Sequence, residues 1–160
     1  MLSKLFRVKV IVADFDDTLI LHDCGKDWYS CCYDGVCMRD YSKLFENSVP
    51  NYALLEALKV VDAPKFCLTH AERSTHLFPK KDWLNLFATG MFKDIICVGS
   101  RADKAKFILD MCDAYGFKPE EVCLIDDHPD TLYEAGMAGI TVTTPQRIMN
   151  EMYRQHLVSE

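Results

Sequence analysis

No stretch of this 160-residue sequence approaches the roughly 18 consecutive apolar residues that a membrane-spanning helix needs. Positive charge is in short supply too. With 24 acidic against 18 basic side chains the formal net charge is -6, which excludes a broad basic surface for nucleic acid or anionic membrane and leaves room only for a local basic groove. The first residues, MLSKLFRVKVIVADFDD, are interrupted by Lys4, Arg7 and Lys9. They have neither the apolar core nor the small-residue cleavage site of a signal peptide. The expectation is a soluble, cytoplasmic protein with no membrane partner. Internal repeats and low-complexity segments are absent as well.

Cysteine is plentiful, eight in all, but the paired C-x-x-C spacing of zinc ribbons is missing. Without a secretory signal a disulfide framework is not expected either. Cys67, Cys97 and Cys123 lie in strand-like apolar runs and Cys112 in a helical one, where a thiol packs as a small hydrophobe. Cys24, Cys31, Cys32 and Cys37 cluster in HDCGKDWYSCCYDGVC. They are reduced thiols of an insertion or, with His22, a structural zinc site.

A composition that is 49% hydrophobic and 26% charged suits one domain over residues 1–160 with a substantial core. β-rich apolar runs at 8–13, 65–69, 94–98, 121–126 and 139–143 alternate with segments of helical spacing. Examples are Leu54, Leu55, Leu58 and Val61, and Phe107, Ile108, Met111, Cys112 and Tyr115. Pro50 and Pro145 stand where helices begin, Gly90 and Gly116 where they end. Continuous apolar strands alternating with helices predict a Rossmann-like, three-layer α/β/α domain around a mostly parallel five-stranded sheet. The polar, aromatic, cysteine-rich stretch 22–48 breaks the rhythm and is expected to be a small cap insertion after strand 1.

In open α/β sheets, ligands bind at the carboxyl ends of the strands. The first strand runs into Asp14, Asp16 and Asp17, the second ends in Thr69, and the fourth ends in Asp126 and Asp127. Lys104 opens the helix between the third and fourth, with Lys106 as a rival. Taken singly, each is an ordinary turn, cap or solvated residue. Together they place four carboxylates, a hydroxyl and an ammonium on one rim, where the like charges repel unless a hard cation such as Mg²⁺ neutralises them.

These residues carry a resemblance. DFDDTL, FCLT, Lys104 and CLIDD, in that order, resemble the four motifs of the haloacid dehalogenase superfamily of phosphohydrolases, from about residue 8 to 145. The resemblance implies a Mg²⁺-dependent phosphohydrolase acting on a phosphomonoester, with Asp14 as nucleophile forming an aspartyl-phosphate and Asp16 as general acid and base. It implies that Thr69 and Lys104 contact the phosphoryl group, with His70 beside them. The metal set would be Asp14, Asp16, Asp126 and Asp127, with Asp126 the direct ligand of the pair and Asp127 its partner. Asp17 and Asp130 are read as capping or solvated acids. The substrate is expected to be a small phosphorylated molecule, or a phosphorylated macromolecule at an open rim; the sequence leaves oligomeric state open. The insertion would serve as a partial lid, its Trp28, Tyr29, Tyr33 and Tyr41 forming a small core or stacking on substrate. Arg73, His76, Lys80 and Lys81, with His70, form either a cationic neighbourhood or a solvated helix face. A phosphotransferase and a binding module with little turnover are the competing readings.

Overall fold

The computed structural model describes residues 7–22, 48–70 and 77–158. Strand β1 (Val10–Ala13) is buried at every position. Successive strand side chains point to opposite faces, so a strand covered on both sides must be apolar throughout. Val10 and Val12 pack with Leu68, Leu124, Ile108 and Met111 on one face, and Ile11 and Ala13 pack with Cys67, Ile125, Leu54 and Trp83 on the other.

The chain continues through β2 (Ile20–His22), β3 (Ser48–Pro50), α1 (Tyr52–Lys59), β4 (Lys65–His70), α2 (Leu77–Phe87), β5 (Asp94–Val98) and α3 (Asp103–Tyr115). A 3₁₀ turn at Pro119–Glu121, β6 (Val122–Ile125), α4 (Pro129–Met137), β7 (Thr141–Thr143) and α5 (Pro145–Val158) complete it. Five strands form one sheet in the order β5-β4-β1-β6-β7, and every pairing in it is parallel. Helices α3 and α4 cover one face through Ile108, Met111, Cys112 and Ala135. Helices α1, α2 and α5 cover the other through Leu54, Leu58, Trp83, Leu84 and Ile148. Burying each of the larger of these side chains contributes about 1.5–3 kcal/mol. The expected α/β/α architecture with a five-stranded parallel sheet is therefore observed.

Helix ends follow local chemistry. Gly116 adopts φ 69° after α3 and returns its N–H to the Cys112 carbonyl, a left-handed cap that glycine adopts without steric cost. Pro145 opens α5 as expected. Pro50 does not open a helix; it pairs with Ile20 in the antiparallel β2–β3 ribbon. Asn51 caps α1 instead, accepting from the Leu54 N–H at 3.3 Å. Tyr115, at the helical interval of a buried residue, is exposed and stacks on Phe117.

The β2–β3 ribbon aligns His22 with Ser48, so the chain departs after His22 and returns at Ser48 at neighbouring points. Residues 23–47 lie outside the described residues, and with them Cys24, Cys31, Cys32, Cys37, Trp28, Tyr29, Tyr33 and Tyr41. The same holds for Arg73 and His76. Cys67, Cys112 and Cys123 are buried free thiols and Cys97 is half-buried, as packing residues should be. No described helix is long and apolar enough to cross a membrane.

Candidate active site

The ends of the two central strands set the site. Asp14 follows β1 and its N–H donates to the Ile125 carbonyl at 2.8 Å; Asp126 follows β6 and its N–H donates to the Thr143 carbonyl at 3.2 Å. Each carboxylate is thus carried on backbone that prolongs the sheet ladder. Phe15, between the two acids of the first motif, turns into the core and meets Trp83 edge-on at 5.3 Å. That anchor leaves Asp14 and Asp16 at the rim. Asp17 then takes φ 52°, a left-handed conformation that aspartate tolerates better than most residues, and turns the chain back toward β2.

Lys104, in the first turn of α3, reaches in from the side and is 2% exposed. Its Nζ lies 2.7 Å from Asp14 Oδ1 and 2.7 Å from Asp126 Oδ2. Burial alone would lower the pKa of this ammonium, but the two carboxylates outweigh burial and raise it. Lys106 points outward and pairs with Asp110 at 2.7 Å, so the two candidate lysines are separated by position on the helix. Asp14, Asp126 and Asp127 each present an oxygen within 4.8 Å of the others. When all three carboxylates are ionised, the one ammonium leaves two negative charges at the strand ends, which suits a divalent cation with hard oxygen ligands. Burial pushes Asp14 up to about 7, with Lys104 opposing and the charges of Asp126 and Asp16 adding to the rise. Asp127 is raised for the same two reasons, burial and the neighbouring Asp126.

Asp16 is not in that group of three. Its carboxylate faces the other way, with Oδ1 3.1 Å from His22 Nε2 and Oδ2 in an ion pair with Lys80. Burial works to raise its pKa, but the His22 hydrogen bond and the Lys80 charge prevail and hold it at about 2. Of the four carboxylates expected to surround a metal, the structure brings three together and gives the fourth side chain two partners of its own.

In the sequence Lys80 is one cation among several, in either a cationic neighbourhood or a solvated helix face. It is 6% exposed and its Nζ lies 2.6 Å from Thr69 Oγ1, with the Phe15 ring beneath it at 5.1 Å. Lys81, next to it, is exposed. Thr69 is fully buried at the end of β4, where its position joins it to Asp16 through Lys80. His70 meets this network through its carbonyl, 3.4 Å from Lys80 Nζ and 3.3 Å from the Thr69 hydroxyl. The loop after β1 is braced from behind: Asn51 Nδ2 donates to the Thr18 carbonyl at 3.0 Å, and the Thr18 hydroxyl reaches toward Asp127 at 3.5 Å. Asp130 sits exposed in the first turn of α4, where an acid favours the helix dipole.

No protein-family model matches the chain, and no curated protein matches it. Solved structures do. A HAD-superfamily hydrolase of subfamily IA from Geobacter sulfurreducens superposes with a TM-score of 0.60 at 17% identity, covering 84% of this chain and 88% of that one. A predicted phosphoglycolate phosphatase from Haemophilus somnus gives 0.60 at 16% identity, with 85% and 84% covered. The chain has the haloacid dehalogenase-like fold. A third structure of this fold, a HAD family enzyme from Bacteroides thetaiotaomicron in complex with magnesium and inorganic phosphate, gives 0.55 at 13% identity, with 86% and 93% covered. Within the haloacid dehalogenase-like fold, the strand-end position of Asp14, Asp126 and Asp127 is the rim at which an α/β sheet takes ligands.

Proposed function

We propose that this chain is a Mg²⁺-dependent phosphohydrolase that removes phosphate from a phosphomonoester through an aspartyl-phosphate on Asp14. The observation that carries the reading is Lys104 set 2.7 Å from both Asp14 and Asp126 at the strand ends, with Asp127 completing the oxygen cluster and Asp16 two residues beyond the nucleophile. The magnesium and phosphate complex of the Bacteroides thetaiotaomicron enzyme, which shares the fold, is consistent with it.

Asp14, Asp126 and Asp127 would hold Mg²⁺, which supplies the positive charge that offsets repulsion between these carboxylates and a phosphoryl group. The chain's own residues do the rest. An oxygen of ionised Asp14 attacks phosphorus as the bond to the leaving oxygen breaks, and Asp16 gives that oxygen a proton. Water then attacks the phosphorus of the acyl phosphate, Asp16 takes its proton, and Asp14 is released as the carboxylate. Lys104 balances charge on Asp14 in both steps, and Thr69 would turn its hydroxyl from the His70 carbonyl to donate to a phosphoryl oxygen. With a pKa of about 2, Asp16 is ionised at neutral pH, the form that activates water. Its protonated form is scarce, so the first step should depend steeply on leaving-group acidity.

The test is a panel of nucleotides, sugar phosphates and phosphorylated nucleic-acid ends, assayed with Mg²⁺ and with chelator. Phosphate release that requires Mg²⁺ supports the reading. Undiminished release in chelator contradicts it.

A further inference from the structure

Asp16 is held from the insertion side as well as from the sheet. After the left-handed turn at Asp17, the chain folds back so that Ile20 bridges Asp16 and the His22 N–H donates to Asp17 Oδ1 at 3.4 Å. That brings the His22 ring beneath the Asp16 carboxylate. The ring is 2% exposed, so water scarcely competes for its nitrogens. Nε2 lies 3.1 Å from Asp16 Oδ1 and Nδ1 lies 2.7 Å from Ser48 Oγ. An ionised carboxylate only accepts hydrogen bonds, so Nε2 carries the hydrogen that it shares with Asp16, while Nδ1 faces a Ser48 hydroxyl that can either donate or accept. Ser48 is itself fixed opposite His22 by the β2–β3 register. The chain Ser48–His22–Asp16 therefore fixes ring plane and carboxylate orientation together.

On the phosphatase reading given above, we infer that His22, oriented by Ser48, is a positioning residue that aims the Asp16 carboxylate at the proton it transfers. Among the described residues Lys80 is the partner at Oδ2, and one such contact does not by itself set the plane of a carboxylate. His22 supplies the second contact by holding Oδ1. The pairing also places the root of the insertion on the acid/base residue, since His22 and Ser48 are the residues between which 23–47 depart and return. Proton transfer depends on donor and acceptor lying within hydrogen-bond reach, so loss of the His22 contact should weaken both uses of Asp16 without touching Asp14.

The two uses can be separated with two esters, para-nitrophenyl phosphate and ethyl phosphate, in the presence of Mg²⁺. Nitrophenolate leaves without protonation, so His22→Ala should form the phospho-enzyme from the aryl ester at close to the wild-type rate and then hydrolyse it slowly, giving a burst of nitrophenolate equal to the enzyme concentration. On ethyl phosphate the same variant should lose about tenfold in kcat with little change in KM, less than the roughly hundredfold or more that loss of the acid–base group itself costs. His22→Gln, which can return a donor to Asp16, should recover part of the loss, and Ser48→Ala should shift both readouts in the same direction by less. Melting temperature checks that each variant is folded. Equal losses on both esters without a burst, or wild-type rates on both, would overturn the positioning role while leaving the phosphatase reading intact. Wild-type protein that hydrolyses neither ester would overturn both.

Discussion

Lys80 Nζ stands 2.6 Å from Thr69 Oγ1 while pairing with Asp16 Oδ2, so one buried ammonium ties the hydroxyl at the end of β4 to the second acid after β1. The consequence is a division of the acidic rim. Asp14 and Asp126 converge on Lys104 and form a cation-suited cluster with Asp127, whereas Asp16 is turned to Lys80 and His22.

That division predicts different effects for the two lysines. Lys80→Met removes the charge that helps hold Asp16 at about 2, so the titration profile of the Asp16 carboxyl, followed by carbon-13 NMR in metal-free protein, should move to higher pH. Lys81→Met, one residue away and exposed, should leave the profile in place. Equal profiles for wild type and Lys80→Met would remove Lys80 from the account.

Lys104→Met leaves Asp14 and Asp126 buried without their shared partner. Breaking a buried pair in this way costs about 3–5 kcal/mol, readable as a lower midpoint in chemical denaturation of metal-free protein. Lys106→Met should leave that midpoint unchanged, since its pair with Asp110 is exposed.

The raised pKa of Asp14 makes metal-free stability pH-dependent. Its folded value of about 7 lies above the ordinary 3.8, so between these values the native state binds more protons than the unfolded chain, and the Asp14 contribution to stability falls as pH rises through the window. Asp16 works in the opposite sense. Its contribution is present above the ordinary carboxylate value and is lost as pH falls toward about 2. Asp14→Asn should therefore raise the melting temperature of metal-free protein at pH 7 and above, and have little effect near pH 4. Mg²⁺ binding needs the carboxylate, so the Mg²⁺-induced rise in melting temperature of the wild type should be larger at pH 8 than at pH 5. A Mg²⁺ effect that is the same at both pH values would contradict the assignment of Asp14 to the cation cluster.

Much of this was legible beforehand. Val10–Ala13 and Val122–Ile125 announce central strands because residues buried on both faces must all be apolar. Asp14, Thr69, Lys104, Asp126 and Asp127 stand at strand ends or at a helix start, so element boundaries alone bring them to one rim. The β2–β3 ribbon escaped notice because its strands are three residues long, are separated by 25 residues and include Pro50, whose lack of an N–H suits a helix start as well as a strand. Lys80 was hidden for a related reason: Lys80 and Lys81 are adjacent, and only the orientation of α2 decides which one enters the site. His22 was read with the nearby cysteines, which lie outside the described residues; the contacts of its ring with Ser48 and Asp16 carry no signal in the sequence.

The central claim, that Asp14 carries the phosphoryl group, is tested most directly by acid-quenching the protein during turnover of para-nitrophenyl phosphate with Mg²⁺ and mapping the modified peptide by mass spectrometry. The account predicts a phosphoryl adduct on the peptide containing Asp14, discharged by hydroxylamine and absent from Asp14→Asn, which should show no turnover. Sustained turnover by Asp14→Asn, or an adduct mapping to a peptide without Asp14, would contradict it.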